Sequence, residues 1–119
     1  MSKDQPLVTV YITNFNYGAF IEEAINSVLN QSYRNIELLI IDDGSSDNSK
    51  TVIDQYASID GVHAIFQINQ GLAKTNNVAL SLAKGSHIVR LDADDRFHNN
   101  AIANLLAGFS STAVAMVFG

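Results

Sequence analysis

The segment VRLDADDRFH (residues 89–98) places three carboxylates within four positions, at Asp92, Asp94 and Asp95. Like charges this close repel one another unless a cation lies among them. Asp92 and Asp94 are separated by one residue, so in an extended chain their side chains face the same side. Two carboxylates on one side suit Mg²⁺ or Mn²⁺, which take one or two protein carboxylates and complete their shells with phosphate and water oxygens. Taken alone, a tripeptide of this kind is more often a solvated acidic loop in which Asp95 or a neighbour caps the next helix.

A second acidic pair stands in LLIIDDGSSD (residues 38–47), where Asp42 and Asp43 are adjacent. Neighbouring side chains on a strand diverge, so these two carboxylates are not expected to share a metal ion. One of them is expected to accept a hydrogen bond from a ligand N–H group while the other braces the loop. The same stretch also has the residues of a capped turn, with Ser46 or Asp47 as the helix-capping residue.

Two further segments could contact a ligand. TNFNY (residues 13–17) offers backbone amides, the Thr13 hydroxyl and a ring at Phe15 on which a base could stack. NQGLAKTNN (residues 69–77) places Lys74 near the start of a helix, where a phosphate group is favoured. Read alone, the first segment is equally well an ordinary strand-to-helix loop, and the default for Lys74 is a surface lysine.

Strands and helices must position these residues, and the hydrophobic pattern predicts that the two alternate along the chain. Apolar runs rich in β-branched residues predict five strands: LVTVYIT (7–13), IELLII (36–41), VHAIFQ (62–67), HIVRL (87–91) and AVAMVFG (113–119). Helical spacing predicts four helices, of which three cover residues 19–31, 72–84 and 100–108. The remaining helix follows the turn at residues 42–49, with Val52, Ile53, Tyr56 and Ala57 facing inward. The helix over residues 72–84 is predicted to end at a C′ glycine, Gly85.

This alternation predicts an α/β fold with one open, mostly parallel sheet and helices on both of its faces. In such sheets, ligands bind beyond the carboxyl ends of the strands. The loops that leave those ends are NFNYG, DDGSSD, NQG and DADD. The candidate ligand-binding residues are therefore expected along one edge of the sheet.

Composition limits the functions open to this chain. Its 119 residues are 47% hydrophobic and 16% charged, which is ordinary for one globular domain. The absence of cysteine excludes disulfides and thiol catalysis, and the formal net charge of −5 argues against nucleic acid as a partner. No apolar run reaches the ~18 residues of a membrane span, and the sequence predicts a cytoplasmic protein. Neither a P-loop nor a dinucleotide-binding glycine motif is present, so a phosphate would have to be held through a metal.

Taken together and in order, VTVYITNFNYGAFIEEAINSVLNQSYRNIELLIIDDGSSDNS and NQGLAKTNNVALSLAKGSHIVRLDADD resemble the N-terminal half of a family 2 glycosyltransferase. The resemblance covers residues 7–98 and continues to the end of the chain. It implies a GT-A fold and an inverting transfer of a sugar from a nucleotide-diphosphate donor to a saccharide or lipid-linked acceptor. Each motif is weak alone, but four motifs in this order and spacing are specific.

The resemblance implies a role for each matching position. Thr13 and Phe15 match the loop that packs around the nucleobase. Asp43 matches the acidic residue that accepts a hydrogen bond from the base, typically uracil N3–H, which points to a UDP-sugar. Asp94 matches the direct ligand of a Mn²⁺ or Mg²⁺ ion, and Asp92 matches the residue that contacts the ribose or a metal-bound water. The metal would stabilise the charge of the departing nucleoside diphosphate.

The chain departs from the family pattern at the diphosphate. Many members have an arginine directly before the asparagine that corresponds to Asn77, whereas this chain has Asn76 at that place. Lys74 lies in the segment that often carries a basic contact to the diphosphate. It is the candidate substitute for the absent arginine.

A second departure concerns the acceptor. The chain stops where the acceptor-binding half should begin, and no residue matches the general base that deprotonates the acceptor hydroxyl. The expectation is one donor-binding domain over residues 1–119, truncated at its C-terminus and inactive by itself. Apolar surface exposed by truncation would favour a homodimer, and membrane association of a full-length protein is left open.

Three other functions compete with this interpretation. A receiver-type signalling domain also uses acidic pairs and Mg²⁺, but its acidic pair comes after the first strand and a lysine comes after the last. A metal-dependent phosphohydrolase needs a nucleophilic aspartate on the first strand, and VTVYIT has none. A non-catalytic nucleotide-sugar-binding module would differ from the enzyme half only in the segment after residue 119.

Overall fold

Strands and helices alternate from one end of the chain to the other in the computed structural model, which describes residues 5–108 and the backbone of residues 116–118. The elements in chain order are β1 Val8–Asn14, α1 Ile21–Leu29, β2 Ile36–Asp43, α2 Ser49–Asp54, β3 Val62–Gln67, α3 Leu72–Leu82, β4 His87–Asp92, α4 Ala101–Ala107 and β5 Met116–Phe118. The predicted order of elements is confirmed. Residues 113–115 and 119 of the predicted last strand lie outside the described residues.

The five strands form one sheet in the order β3-β2-β1-β4-β5, and every strand pair is parallel. The chain runs outward from β1 to β3 and then returns to the other side of β1 to form β4. This reversal of direction creates the crevice in which open α/β sheets bind ligands. The register places Thr13 of β1 opposite Asp92 of β4, and Asn14 opposite Asp42 of β2.

Alternation of side chains along the strands gives each face of the sheet its own core. On one face, Val10 and Ile12 of β1 pack with Ile25 of α1, and α2 and α4 add Ile53 and Ile102 to the same cluster. The other face carries Tyr11, Leu39, Ile41 and Ile88, which pack with Ala79 of α3. Helices therefore cover both faces, as predicted, with α3 on the face that Tyr11 occupies.

The second helix is shorter than its apolar spacing predicts. It ends at Asp54, and the chain then tightens through hydrogen bonds from Gln55 N to Val52 O and from Tyr56 N to Ile53 O. These bonds reach back three residues, as in the last turn of many helices. Tyr56 still packs against the core, but Ala57 is turned outward and exposed, so its predicted inward position is wrong.

Gly85 does not have the predicted role of a left-handed helix cap. Helix α3 ends at Leu82, and the next residue, Ala83, is already extended, with φ −64° and ψ 133°. Gly85 instead lies where the chain passes β1 at close range. A Cβ on Gly85 would stand 2.6 Å from Thr9 N and 2.7 Å from Leu7 O. The glycine is needed for this approach and not for its φ angle.

The loop between β4 and α4 is held by a residue from another element. Gln31, buried just after α1, donates from Nε2 to Ser27 O and His98 O, and its Oε1 accepts from Ile102 N. Asp95, which the solvated-loop alternative offered together with its neighbours as a cap of this helix, instead accepts a bond from the adjacent Arg96 N. Gln31 therefore fixes both the start of α4 and the loop that links the acidic cluster to it.

Within the part of the chain that the structure describes, no helix is long and apolar enough to cross a membrane. The cytoplasmic location stays a prediction, as does the homodimer.

Candidate functional site

A cleft of about 410 Å³ opens at the carboxyl ends of β1, β2 and β4, beside the point where the strand order reverses. Its walls come from the β1–α1 loop, the end of β2, the start of α3 and the end of β4. The lining residues are Thr13, Asn14, Phe15, Tyr17, Asp43, Asn69, Gly71, Leu72, Thr75, Arg90, Asp92, Ala93 and Asp94. The cleft thus brings together Thr13, Phe15, Asp43, Asp92 and Asp94 of the predicted site.

The acidic wall of the cleft contains a cation that the sequence did not assign to it. Arg90 Nη1 lies 3.0 Å from Asp92 Oδ1, and the Thr13 hydroxyl donates to the same oxygen over 3.5 Å. Arg90 and Asp92 share a face of β4 because they are two positions apart. Asp94 lies beyond the strand, exposed on the rim.

Beneath this pair, Tyr11 connects the sheet to α3. Its hydroxyl donates to Asn76 Oδ1 over 2.9 Å, and Tyr11 lies opposite Arg90 in the β1–β4 register. Burial raises the pKa of Tyr11 above its ordinary value, against the opposing effect of the Arg90 guanidinium. Tyr11 is therefore a neutral hydrogen-bond donor, and Asn76 is engaged in packing α3 against the sheet.

The two adjacent carboxylates of β2 diverge, as predicted. Asp42 accepts hydrogen bonds from Asn14 Nδ2 at 2.7 Å and from the Ser45 hydroxyl at 2.6 Å, which braces the β2–α2 loop. Asp43 points to the cleft, where its Oδ1 accepts from Gln67 Nε2 at 3.0 Å and from Gln70 N at 2.8 Å.

Asp43 also fixes the turn before α3, because its Oδ2 accepts from Gly71 N at 3.1 Å. These contacts engage three of the roughly four lone-pair positions of a carboxylate, which leaves capacity for one ligand donor. Gly71 has φ +88°, a left-handed conformation that favours glycine. Asp43 therefore holds the cleft wall in place and also faces the cleft.

The aromatic wall is positioned by a strained residue in the β1–α1 loop. Asn16 has φ +60°, and its Oδ1 accepts from Ser46 N at 2.8 Å, while its own N–H donates to the Ser45 hydroxyl. In this left-handed conformation, the hydrogen bonds of Asn16 join its loop to the β2–α2 loop. Phe15, just before it, lines the cleft and remains 47% exposed. An exposed ring held by an ordered loop can stack on a nucleobase.

Lys74 is the predicted site residue that the cleft does not include. Its side chain is exposed on the first turn of α3, and Thr75 faces the cleft instead. The Thr75 hydroxyl donates to Gly71 O and accepts from Gln67 Nε2. The role of Lys74 at a diphosphate stays a prediction.

A divalent cation fits this site only if the protein supplies few of its ligands. Across residues 5–108, no group of three or more His, Cys, Asp or Glu side chains is arranged to hold a metal by itself. Asp92, Asp94 and the Thr13 hydroxyl nevertheless present oxygen atoms, which suit a hard cation. Mg²⁺ and Mn²⁺ sites of this kind rely on phosphate and water oxygens for the rest of the shell.

Several lining residues were not predicted individually from the sequence, and Arg90 is the most informative of them. An arginine in HIVRLD, between apolar residues of a predicted buried strand, is a signal for a paired cation near the strand end. Asn14, Asn69 and Thr75 gave no comparable signal. Their place in the cleft depends on how β1, β3 and α3 pack.

The sequence profile of glycosyl transferase family 2 matches residues 9–119. Glycosyltransferase GlyG of Streptococcus pneumoniae serotype 4 is 34% identical over 115 residues, covering 95% of this chain and 38% of GlyG. A chondroitin synthase of Escherichia coli is 35% identical over 108 residues, covering 90% of this chain and 16% of the synthase. This chain spans from 35% to 48% of the length of the first relatives that it matches.

Solved structures match the fold over most of the described residues. The structure of TarS residues 1–349 from S. aureus in complex with UDP-GlcNAc has a TM-score of 0.78 at 25% identity, covering 85% of this chain and 30% of that one. The mannosyltransferase PcManGT from Pyrobaculum calidifontis, in complex with GDP-Man and Mn²⁺, has a TM-score of 0.73 at 26% identity. That match covers 80% of this chain and 29% of the mannosyltransferase.

Proposed function

This chain belongs to glycosyl transferase family 2, and from that premise we propose that its cleft binds the nucleotide diphosphate of a sugar donor, with UDP as the first candidate. One observation carries the proposal. Phe15 and Asp43 on one wall, and Asp92 and Asp94 on another, line a single cleft at the edge where open α/β sheets bind ligands.

The base is held at the wall between β1 and β2. A uracil presents an N–H donor between two carbonyl acceptors, and the Asp43 carboxylate is an acceptor that complements this donor. The exposed ring of Phe15 supplies a stacking surface on the same wall. TarS, a structural neighbour whose structure is known with UDP-GlcNAc, supports UDP as the first candidate.

The diphosphate is held at the wall formed by the end of β4. Asp94 would be a direct ligand of a Mn²⁺ or Mg²⁺ ion, and Asp92 would contact the ribose or a water of the metal shell. When bound, the metal would neutralise charge on the departing nucleoside diphosphate. A neighbour with GDP-Man and Mn²⁺ supports divalent metal use at this fold.

The reaction is an inverting displacement. The oxygen of an acceptor hydroxyl attacks the anomeric carbon, the bond from that carbon to the β-phosphate oxygen breaks, and the nucleoside diphosphate leaves with the electron pair. The hydroxyl proton passes to a general base. A saccharide acceptor is favoured because relatives include a chondroitin synthase.

We assign no general base among the described residues. Residues 1–119 are proposed to be the donor-binding part of the enzyme, and the share of each relative that this chain covers supports this division. Incubating the chain with a UDP-sugar, a saccharide acceptor and Mn²⁺ tests the division. Efficient transfer by this chain alone would show that it contains the base.

Calorimetric titration with UDP and GDP, with and without Mn²⁺, tests the binding proposal. We expect UDP to bind in a Mn²⁺-dependent manner, and Asp94→Asn to weaken that binding about tenfold or more. Asp60→Asn is the matched control, since Asp60 is an exposed carboxylate just before β3, at the opposite edge of the sheet. Metal-independent binding, or no nucleotide binding in a folded sample, contradicts the proposal.

A further inference from the structure

Arg90 occupies an unusual place for a charged residue. It lies within β4 between Val89 and Leu91, which are buried in the core on the other face of the sheet. Its side chain is only 12% exposed, and Nη1 lies 3.0 Å from Asp92 Oδ1. A guanidinium with so little exposed surface is costly to bury unless anions pair with it.

The cleft has an excess of negative charge around this cation. Among the described residues that line it, three are carboxylates, Asp43, Asp92 and Asp94, and one is a cation, Arg90. A diphosphate brings further negative charge to the same wall. A metal ion held by Asp94, with Asp92 beside it, would offset those two carboxylates, and a further cation would favour the diphosphate itself.

We propose that Arg90 is a donor-binding residue whose guanidinium pairs with Asp92 when the cleft is empty and with the diphosphate when the donor is bound. The inference rests on the proposed function, because it assigns a residue to the ligand of the same cleft. The exchange keeps the buried guanidinium paired in both states. It also releases Asp92 to contact the ribose or the metal shell.

The chemistry of the guanidinium suits this exchange. It has five N–H donors in a planar fork, so it can face a phosphate with two parallel hydrogen bonds. Asp92 is 40% exposed, so water can solvate its carboxylate when Arg90 turns to the diphosphate.

The exchange predicts opposite effects on two ligands. Without nucleotide, Arg90 competes with a metal ion for Asp92, so removing the guanidinium should strengthen the binding of Mn²⁺ alone. With nucleotide, removing the guanidinium should weaken binding of the diphosphate. A residue that merely stabilises β4 would not produce this pair of opposite changes. Its removal would also not cause a loss of affinity that grows with the number of phosphates on the nucleotide.

The test compares Arg90→Gln, Arg90→Lys and the unaltered chain by calorimetry with uridine, UMP and UDP in the presence of Mn²⁺. Mn²⁺ binding without nucleotide is followed by electron paramagnetic resonance. We expect Arg90→Gln to weaken UDP about 10- to 100-fold, to leave uridine within about twofold, and to bind Mn²⁺ alone severalfold more tightly. Arg90→Lys keeps the charge but loses the fork, so its loss of UDP affinity should be intermediate.

Arg34→Gln is the matched control because Arg34 is exposed and donates to Leu29 O and Gln31 O in the α1–β2 connection, away from the cleft. Thermal unfolding of each variant checks its folding. If Arg90→Gln does not fold, the comparison is made between Arg90→Lys and the unaltered chain. The inference is overturned if an Arg90 variant binds UDP as the unaltered chain does, or if uridine and UDP weaken equally. Failure of the unaltered chain to bind any nucleotide overturns the proposed function as well.

Discussion

Asp43 has two tasks at the level of the single side chain. It anchors the β3–α3 turn by accepting hydrogen bonds from Gln70 N and Gly71 N, and it lines the cleft. Its neighbour Asp42 points elsewhere and braces the β2–α2 loop through Ser45. Their functions are therefore separate: Asp42 stabilises a loop only, whereas Asp43 stabilises a turn and also faces the cleft.

This separation predicts different results for two matched substitutions. Asp43→Asn replaces an acceptor oxygen with an amide, so one backbone N–H loses its partner and the free energy of unfolding should fall by about 1–3 kcal/mol. Asp42→Asn should lower it by a similar amount in urea denaturation. Uridine binding, measured by calorimetry, should be lost in Asp43→Asn and retained in Asp42→Asn. Retention in both variants would argue against a base contact by Asp43.

Asp47 makes a pH-dependent contribution to the stability of the two loops that it joins. The Ser49 hydroxyl donates to it and lowers the pKa of Asp47 below its ordinary value, and Gly18 N adds a further hydrogen bond. Because the folded state has the lower pKa, this stabilisation is present above the ordinary pKa of ~4. It is lost as the pH falls through the lower pKa of the folded state.

We therefore expect the unaltered chain to lose stability faster than Asp47→Asn as the pH falls below ~4. The measurement is urea denaturation from pH 7 to pH 2, with the difference in unfolding free energy plotted against pH. Asp54→Asn is the control, because Asp54 makes an exposed ion pair with Lys50. A difference that stays constant across this range would show that the Asp47 carboxylate does not contribute as a charged group.

At the scale of the elements, some residues matter because they lie where two elements meet. Gly85 is such a residue. Since a Cβ would stand 2.6 Å from Thr9 N, Gly85→Ala must push β1 away from the α3–β4 connection. We expect the free energy of unfolding to fall by about 1–3 kcal/mol. Gly108→Ala should change it by no more than ~0.5 kcal/mol, because its nearest atom, Leu105 O, would be 3.6 Å away. Equal effects in urea denaturation would contradict the close-approach role.

Gln31 joins α1 to the loop between the acidic cluster and α4. Gln31→Leu keeps a similar volume but leaves Ile102 N and His98 O without the side-chain partner. We expect a loss of about 3 kcal/mol and faster amide hydrogen exchange in residues 96–102. Asn30→Ala, at the exposed neighbouring position, is the control. Unchanged exchange in this loop would show that Gln31 does not hold it.

Sequence patterns predicted the elements because their signals are local. Apolar runs and helical spacing placed the starts of β2 and β3 at Ile36 and Val62, as observed. Gly85 was misread because its constraint comes from Thr9, far away along the chain. The contacts of Gln31 could not be predicted for the same reason, because they depend on how α1 meets the loop before α4. The pairing of Arg90 with Asp92 is local instead, and the two-residue spacing in HIVRLD indicates it once the strand is recognised.

At the scale of the whole molecule, parallel pairing explains why separate acidic segments form one site. The carboxyl ends of all the strands meet at one edge, and the reversal of strand order beside β1 opens the cleft there. The sequence therefore predicted where the cleft lies and all three of the carboxylates that line it among the described residues. It did not predict which side chains pair across the cleft, since that depends on distances of a few ångström.

The formal net charge of −5 predicts how the donor approaches. Chain and nucleotide diphosphate are both negative, so at low salt their repulsion acts over a Debye length of ~30 Å, against ~8 Å at 0.15 M. The association rate of a fluorescent UDP analogue with Mn²⁺, measured by stopped flow, should rise about two- to fivefold between 0.01 M and 0.15 M salt. The double variant Asp54→Asn and Asp60→Asn removes two exposed negative charges away from the cleft, so its rate should rise less. A rate that falls with salt would contradict the prediction and show that the local field of Arg90 outweighs the net charge.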